Sequence, residues 1–203
     1  MNERLSRFIS YLFHPISLPL LSAFVLLNTR TYVAFSLTTA GKAVIYFTLF
    51  TFTALMPLII SLSLLRNGMI TSLHMPTREE RRVPMLATAL SYMAAYYVLS
   101  KFALPRLVVL LHLGASLAVI GVLLINLRWK ISIHMVGIGG FIGAILAIAF
   151  QLGTDLRLLL AAALVVAGIV ATARLSLKMH EPAQVYAGFA LGLCCEWLTI
   201  SAL

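Results

Sequence analysis

The sequence predicts an all-α protein, a polytopic bundle of about six to seven membrane-spanning helices in a single domain, residues 1–203. Three observations predict it. Hydrophobic residues make up 62% of the chain and charged residues only 10%, too few to cover the surface of a water-soluble domain. Mean hydropathy is correspondingly high, +1.03. The apolar residues fall in runs of membrane-crossing length, roughly 20 residues each. Within a run they are continuous and do not alternate, which excludes the strands of a membrane β-barrel.

The runs cover 8–27, 43–65, 84–104, 107–127, 131–151, 156–173 and 184–203. Arg4 and Arg7 precede the first, as they would in a signal peptide. No small-residue cleavage site follows, so the segment reads as an uncleaved first helix. Pro15 and Pro19 predict a kink in it, or a helix that starts late, near Ser17. The connection 28–42 carries only Arg30 and Lys42. The next connection, 66–84, has the densest charge in the chain: Arg78, Glu79, Glu80, Arg81 and Arg82. Pro84 behind them suits the first turn of a helix. The runs 84–104 and 107–127 are divided at Leu104, Pro105 and Arg106. His112, alone in an apolar run, reads as a packing or inter-helix hydrogen-bonding residue. Gly139 with Gly143, and Gly188 with Gly192, have the four-residue spacing that lets helices approach closely. Cys194 and Cys195 read as small buried residues, with neither a disulfide framework nor metal spacing. Glu196 either pairs with an arginine of a neighbouring helix or lines a polar cavity.

The formal charge is +9. Nucleic acid is excluded as the counterpart, since no soluble basic face or reader motif is present. Anionic lipid headgroups are the simpler partner, and the lipid bilayer is the surrounding medium.

The stretch 173–192 lies between two apolar runs yet carries Arg174, Lys178, His180 and Glu181. Two readings stand side by side. The cations are snorkelling helix ends and the histidine a polar loop residue. Alternatively they form an anion site: a transferring phosphoryl group needs fixed positive charge, which the guanidinium fork supplies bidentately. An imidazole aimed by a partner on one ring nitrogen can attack phosphorus with the other.

The order of residues favours the second reading. Arg174, His180 after five intervening residues, Pro182, Val185 and Gly188 resemble the third signature of the type-2 phosphatidate phosphatase and haloperoxidase superfamily. Ala173 stands where Ser is usual and Gln184 where Asp is usual. Ser132 and His134 resemble two of the four residues of the second signature, P-S-G-H. Arg82 and Pro84 resemble the end of the first, K-x6-R-P, with one residue inserted and no upstream lysine. The resemblance covers residues 74–84, 130–134 and 173–188.

The resemblance implies a metal-independent and cofactor-free integral membrane phosphohydrolase. Its substrate would be a lipid phosphate or diphosphate of the phosphatidate, phosphatidylglycerophosphate, polyprenyl diphosphate or lipid A type. It makes His180 the nucleophile, through a phosphohistidine, and His134 the donor of a proton to the leaving oxygen. Gln184 takes the place of the orienting acid. Arg174, Ser132 and the N–H of residue 133 bind phosphate. We expect Arg82 and Arg78 as further phosphate ligands, with Glu79 or Glu80 as their partners and Arg81 able to replace either. Lys130 supplies the ammonium that the first signature lacks. The alternative is a relative that binds or translocates a lipid phosphate without turnover, which Ala173 and Gln184 motivate. A metal site built from His74, His134, His180 and a glutamate ranks last, since the spacings match no ligand motif.

Two spans separate Arg82 from Ser132, and two more separate His134 from Arg174. An even number returns the chain to the same face, so all three clusters fall at one membrane surface with the N-terminus. Charge bias places that surface in the cytoplasm; the resemblance places it outside. The multi-pass topology holds on either choice.

Overall fold

The computed structural model describes residues 1–73, 75 and 77–202; His74, Pro76, Leu203 and the side chain of Arg78 lie outside the described residues. Every regular element among them is helical. In order these are α1 (Glu3–Leu12), α2 (Leu18–Asn28), α3 (Tyr32–Ser36), α4 (Thr39–Leu49), a π-helical turn (Phe50–Leu55) and α5 (Met56–Arg66). Then follow α6 (Arg78–Leu99), α7 (Arg106–Asn126), α8 (Ile133–Leu152), α9 (Arg157–Ser176) and α10 (Pro182–Ser201).

Five helical stretches have the length and hydropathy to cross a bilayer: the continuous Thr39–Arg66, and α7, α8, α9 and α10. With the shorter apolar α2 they make a multi-pass bundle of about six spans. The first apolar run is not one helix. It breaks after Leu12, and α2 begins at Leu18 with Pro19 in its first turn, as the late-start alternative requires. The preceding residues form a helix of their own. The other departure is α6. It starts at Arg78, because the Thr77 side chain accepts the Glu80 backbone N–H as an N-cap. Pro84 therefore lies inside the helix, not in its first turn.

The centre of the bundle is α8, buried along most of its length, with α10 packed against it. Glycines allow that contact. A Cβ on Gly192 would overlap the Val136 carbonyl oxygen, and one on Gly139 would overlap that of Phe189. At Gly188 it would lie 2.6 Å from the Ser132 carbonyl oxygen. Such overlaps are relieved only by separating the helices. The close approach sets the register of the two helix starts, where the Ser132 N–H donates to the Gln184 carbonyl at 3.2 Å.

On the other side, α6 and α7 form a hairpin. His112 Nε2 lies 3.1 Å from the Tyr92 carbonyl, and Ser116 Oγ donates to the same oxygen at 3.2 Å. His112 is thus an inter-helix hydrogen-bonding residue. Glu196 is buried against Gly114 of α7 and Gly140 of α8, and no ion pair reaches it among the described residues. Cys194 faces outward, contrary to the expectation of burial, and both cysteines are free thiols.

Candidate functional site

Of the polar residues singled out in the sequence, Lys130, Ser132, His134, Arg174, His180 and Gln184 gather at one end of the bundle. Ser132 is the N-cap of α8, and His134 stands in the first turn. Arg174 occupies the last turn of α9. The connection to α10 contains His180, and Gln184 sits in the first turn of α10 behind Pro182. Proline suits that position because the N–H it lacks has no helical partner there. The N-termini of α8 and α10 both end at the cluster, so unpaired backbone N–H groups and the positive ends of two helix dipoles add to the side-chain charge.

His180 Nδ1 lies 3.0 Å from Gln184 Oε1. A carbonyl oxygen accepts, so Nδ1 carries the proton and Nε2 keeps its lone pair. Gln184 Oε1 also receives the Glu181 backbone N–H at 3.3 Å, which fixes the amide's orientation. Burial lowers His180 to about 4, helped by the charges of Lys130, Arg174 and Arg81 and opposed by the bond to Gln184. The ring is therefore neutral at pH 7, with Nε2 available as a nucleophile.

Around this ring stand three cations from three parts of the chain. Lys130 Nζ donates to the Met179 carbonyl at 2.7 Å, tying the α7–α8 connection to the α9–α10 connection. Burial lowers the Lys130 ammonium, and the charges of Arg81 and Arg174 lower it further. Arg81 Nε donates to the Met75 carbonyl at 2.7 Å. Glu80 holds the same connection: its carboxylate accepts the Thr71 backbone N–H at 2.8 Å and the Thr71 and Thr77 hydroxyls. Both carbonyls that receive a cation lie at or beside a non-glycine residue with positive φ, Met75 at 45° and Lys178 at 51°. L-residues adopt that conformation at a cost of roughly 1–2 kcal/mol.

His134 and Arg174 meet over α1. His134 Nε2 lies 3.2 Å from the Ser10 carbonyl, and an Arg174 NH group donates to Ser10 Oγ at 3.2 Å. The His14 ring contacts that of His134 edge-on, with centroids 5.8 Å apart. His180 is within electrostatic reach of His134. Two buried polar atoms here, Ser132 Oγ and Arg174 Nε, have no hydrogen-bond partner among the described residues.

Beside His180 opens a cleft of about 500 Å³, lined by Lys130, Lys178, His180, Glu181 and Gln184 among others. That volume falls in the range of small-ligand sites, roughly 300–1,000 Å³. Arg82 is exposed and makes no hydrogen bond or ion pair among the described residues; Arg81, one position earlier, faces the cluster. Among the described residues no three His, Cys, Asp or Glu side chains are grouped as metal ligands. Sequence reasoning missed Ser10 and His14, which belong to no motif. A signal for the start of α6 was present: Thr77-x-x-Glu80 has the pattern of a helix N-terminus.

The fold and the cluster define a multi-pass membrane protein with a cationic, histidine-bearing pocket at one end of its bundle. No family model, curated protein or solved structure matches the chain.

Proposed function

We propose that the protein is a lipid phosphate phosphohydrolase of the type-2 phosphatidate phosphatase kind. The observation that carries this reading is the His180–Gln184 pair. It presents a neutral imidazole with Nε2 free, among Lys130, Arg174 and Arg81, at the mouth of a cleft. Lys130, Arg174 and Arg81 form no salt bridge among the described residues, and such a group of cations favours an anion, even with Glu80 offsetting part of the Arg81 charge; two helix N-termini favour it further. The unpaired Ser132 Oγ and Arg174 Nε are groups a phosphate oxygen accepts from.

In this reading His180 Nε2 attacks phosphorus in line. The N–P bond forms as the ester P–O bond breaks, and His134, having taken up a proton from the acidic phosphate monoester as it binds, gives that proton to the departing alcohol oxygen. Water, deprotonated by His134, then attacks the phosphohistidine; phosphate leaves and His180 regains its lone pair. Arg174, Lys130 and Arg81 hold the equatorial oxygens through both steps, where transition-state charge resides. Gln184 keeps the Nδ1 proton in place and supplies no charge to the phosphorylated ring. Ser10 holds the polar groups of His134 and Arg174 until a phosphate takes them over.

The test is phosphate release in detergent from a panel of lipid monophosphates and diphosphates, with His180→Ala as the blank. Release by the native chain and none by the variant supports the reading. Equal release from both for every lipid defeats it. Lipid phosphate binding without release, restored to turnover by no acid at position 184, identifies a binding protein instead.

A further inference from the structure

We infer that α1 lies in the plane of the membrane surface, where it binds the anionic headgroup layer of the leaflet at which the polar cluster opens. The argument starts from the helix's three stripes. At about 100° per residue its side chains divide the circumference into thirds. Ser6, Ile9 and Ser10 form one stripe, buried against the protein, with Ser6 fully covered. Leu5, Phe8 and Leu12 form the second, and they are exposed; Phe8 is 63% exposed. Glu3, Arg4, Arg7 and Tyr11 form the third, also exposed.

A helix crossing the bilayer beside a bundle needs a protein face and a lipid face, with no charged third. A helix in water has no use for an exposed leucine and phenylalanine stripe. A helix at the interface, flanked by protein, meets protein, acyl chain and water on three sides. That is the division seen in α1.

Position agrees with pattern. The chain breaks after α1, and the apolar α2 departs from the break at Leu18. α1 packs along α9, whose last turn holds Arg174 at the cluster end of the bundle. The same end carries Arg66, Arg81, Arg82, Arg128, Lys130 and Lys178, a cationic rim that matches anionic headgroups. Arg7 bonds Glu3 at 2.6 Å within the polar stripe, which leaves Arg4 as its excess positive charge. Ser10, on the protein stripe, touches both His134 and Arg174, so the seating of α1 in the leaflet sets the groups at the mouth of the cluster.

The proposal does not depend on the hydrolase reading, and its test reads no turnover. Single cysteines replace Arg4, Leu5, Arg7, Phe8, Tyr11 and Leu12 in the full chain, with Cys194 and Cys195 changed to serine. All six positions are on the surface and leave the packed face intact. Each is spin-labelled and reconstituted in phosphatidylcholine vesicles with and without phosphatidylglycerol. Collision with oxygen, which concentrates in acyl chains, is compared with collision with a water-soluble nickel chelate. Labels at 5, 8 and 12 are expected to favour oxygen and those at 4, 7 and 11 the chelate, with the contrast growing as phosphatidylglycerol is added. Uniform accessibility around the helix, or a contrast indifferent to lipid charge, overturns the proposal. So does spin–spin broadening at 5, 8 and 12, which would mark a second copy of the chain on that face.

Discussion

Replacing Gln184 by glutamate changes the His180 pair and little else. The side chain keeps its length, so the acceptor stays near the 3.0 Å that separates Oε1 from Nδ1. It lies in the first turn of α10, where the helix dipole favours a carboxylate. A neutral acceptor becomes a charged one. An opposite charge this close raises a histidine by about one to three units. Solvent screening of a partly buried ring holds the change to the lower part of that range. From its present value of about 4, His180 should therefore move to about 5 or 6. One unit corresponds to about 1.4 kcal/mol of preference for the charged ring. A phosphorylated ring is stabilised in the same sense, so turnover should rise by about tenfold. The assay is nitrogen-15 NMR of labelled histidine in detergent micelles, with His180→Ala assigning the resonance. A titration midpoint unchanged by the substitution would show that residue 184 does not bond Nδ1, and the tautomer argument would fall with it.

Further outcomes follow from neighbouring contacts. Arg81→Gln should raise KM for a lipid phosphate by about ten- to a hundredfold, the cost of one charged hydrogen bond of roughly 1.5–3 kcal/mol, while Arg82→Gln stays within about twofold. Equal effects at the two positions contradict the inward phase of Arg81. Gly192→Ala should lower thermal stability by about 1–3 kcal/mol or more, because its Cβ overlaps the Val136 carbonyl. Gly168→Ala, with nothing within 4 Å of the new methyl, should be neutral or stabilising, and the pair is compared by melting in detergent. Stability should also depend on pH through His180. Its folded value, about 4, lies below the ordinary 6.5, so the unfolded chain takes up the proton first. The contribution is complete above about pH 6.5 and is lost as pH falls from there toward 4. The melting temperature should drop over that window, and His180→Asn should flatten the drop.

The helices were legible because a bilayer demands long apolar runs, and 107–127, 131–151 and 156–173 lie within two or three residues of α7, α8 and α9. The spatial meeting of Lys130, His134, Arg174 and His180 was legible too, since an even number of crossings fixes the face. Side-chain phase was not. Arg81 and Arg82 differ by about 100° around α6, and the packing of the helix decides between them, with Arg81 turned to the Met75 carbonyl and the cluster. α1 was hidden for a related reason: its protein-facing stripe contains Ser6 and Ser10, which read as solvent-facing in a list of hydrophobicities. The burial of Ser10 follows from what it meets, Arg174 at the end of α9 and the His134 ring, and that is a tertiary fact. Glu196 likewise gave no sign in sequence that glycines of two other helices leave it space.

The central claim is that His180 takes the phosphoryl group. The most direct measurement is rapid mixing of the purified protein with phosphorus-32-labelled phosphatidate, followed by an alkaline quench that preserves phosphohistidine and by mapping of the labelled peptide. Label confined to His180, absent from His180→Ala and accumulating when His134 is changed to asparagine, is the predicted result. Phosphate release at the native rate with no label on residue 180, or with label on another side chain, would contradict it.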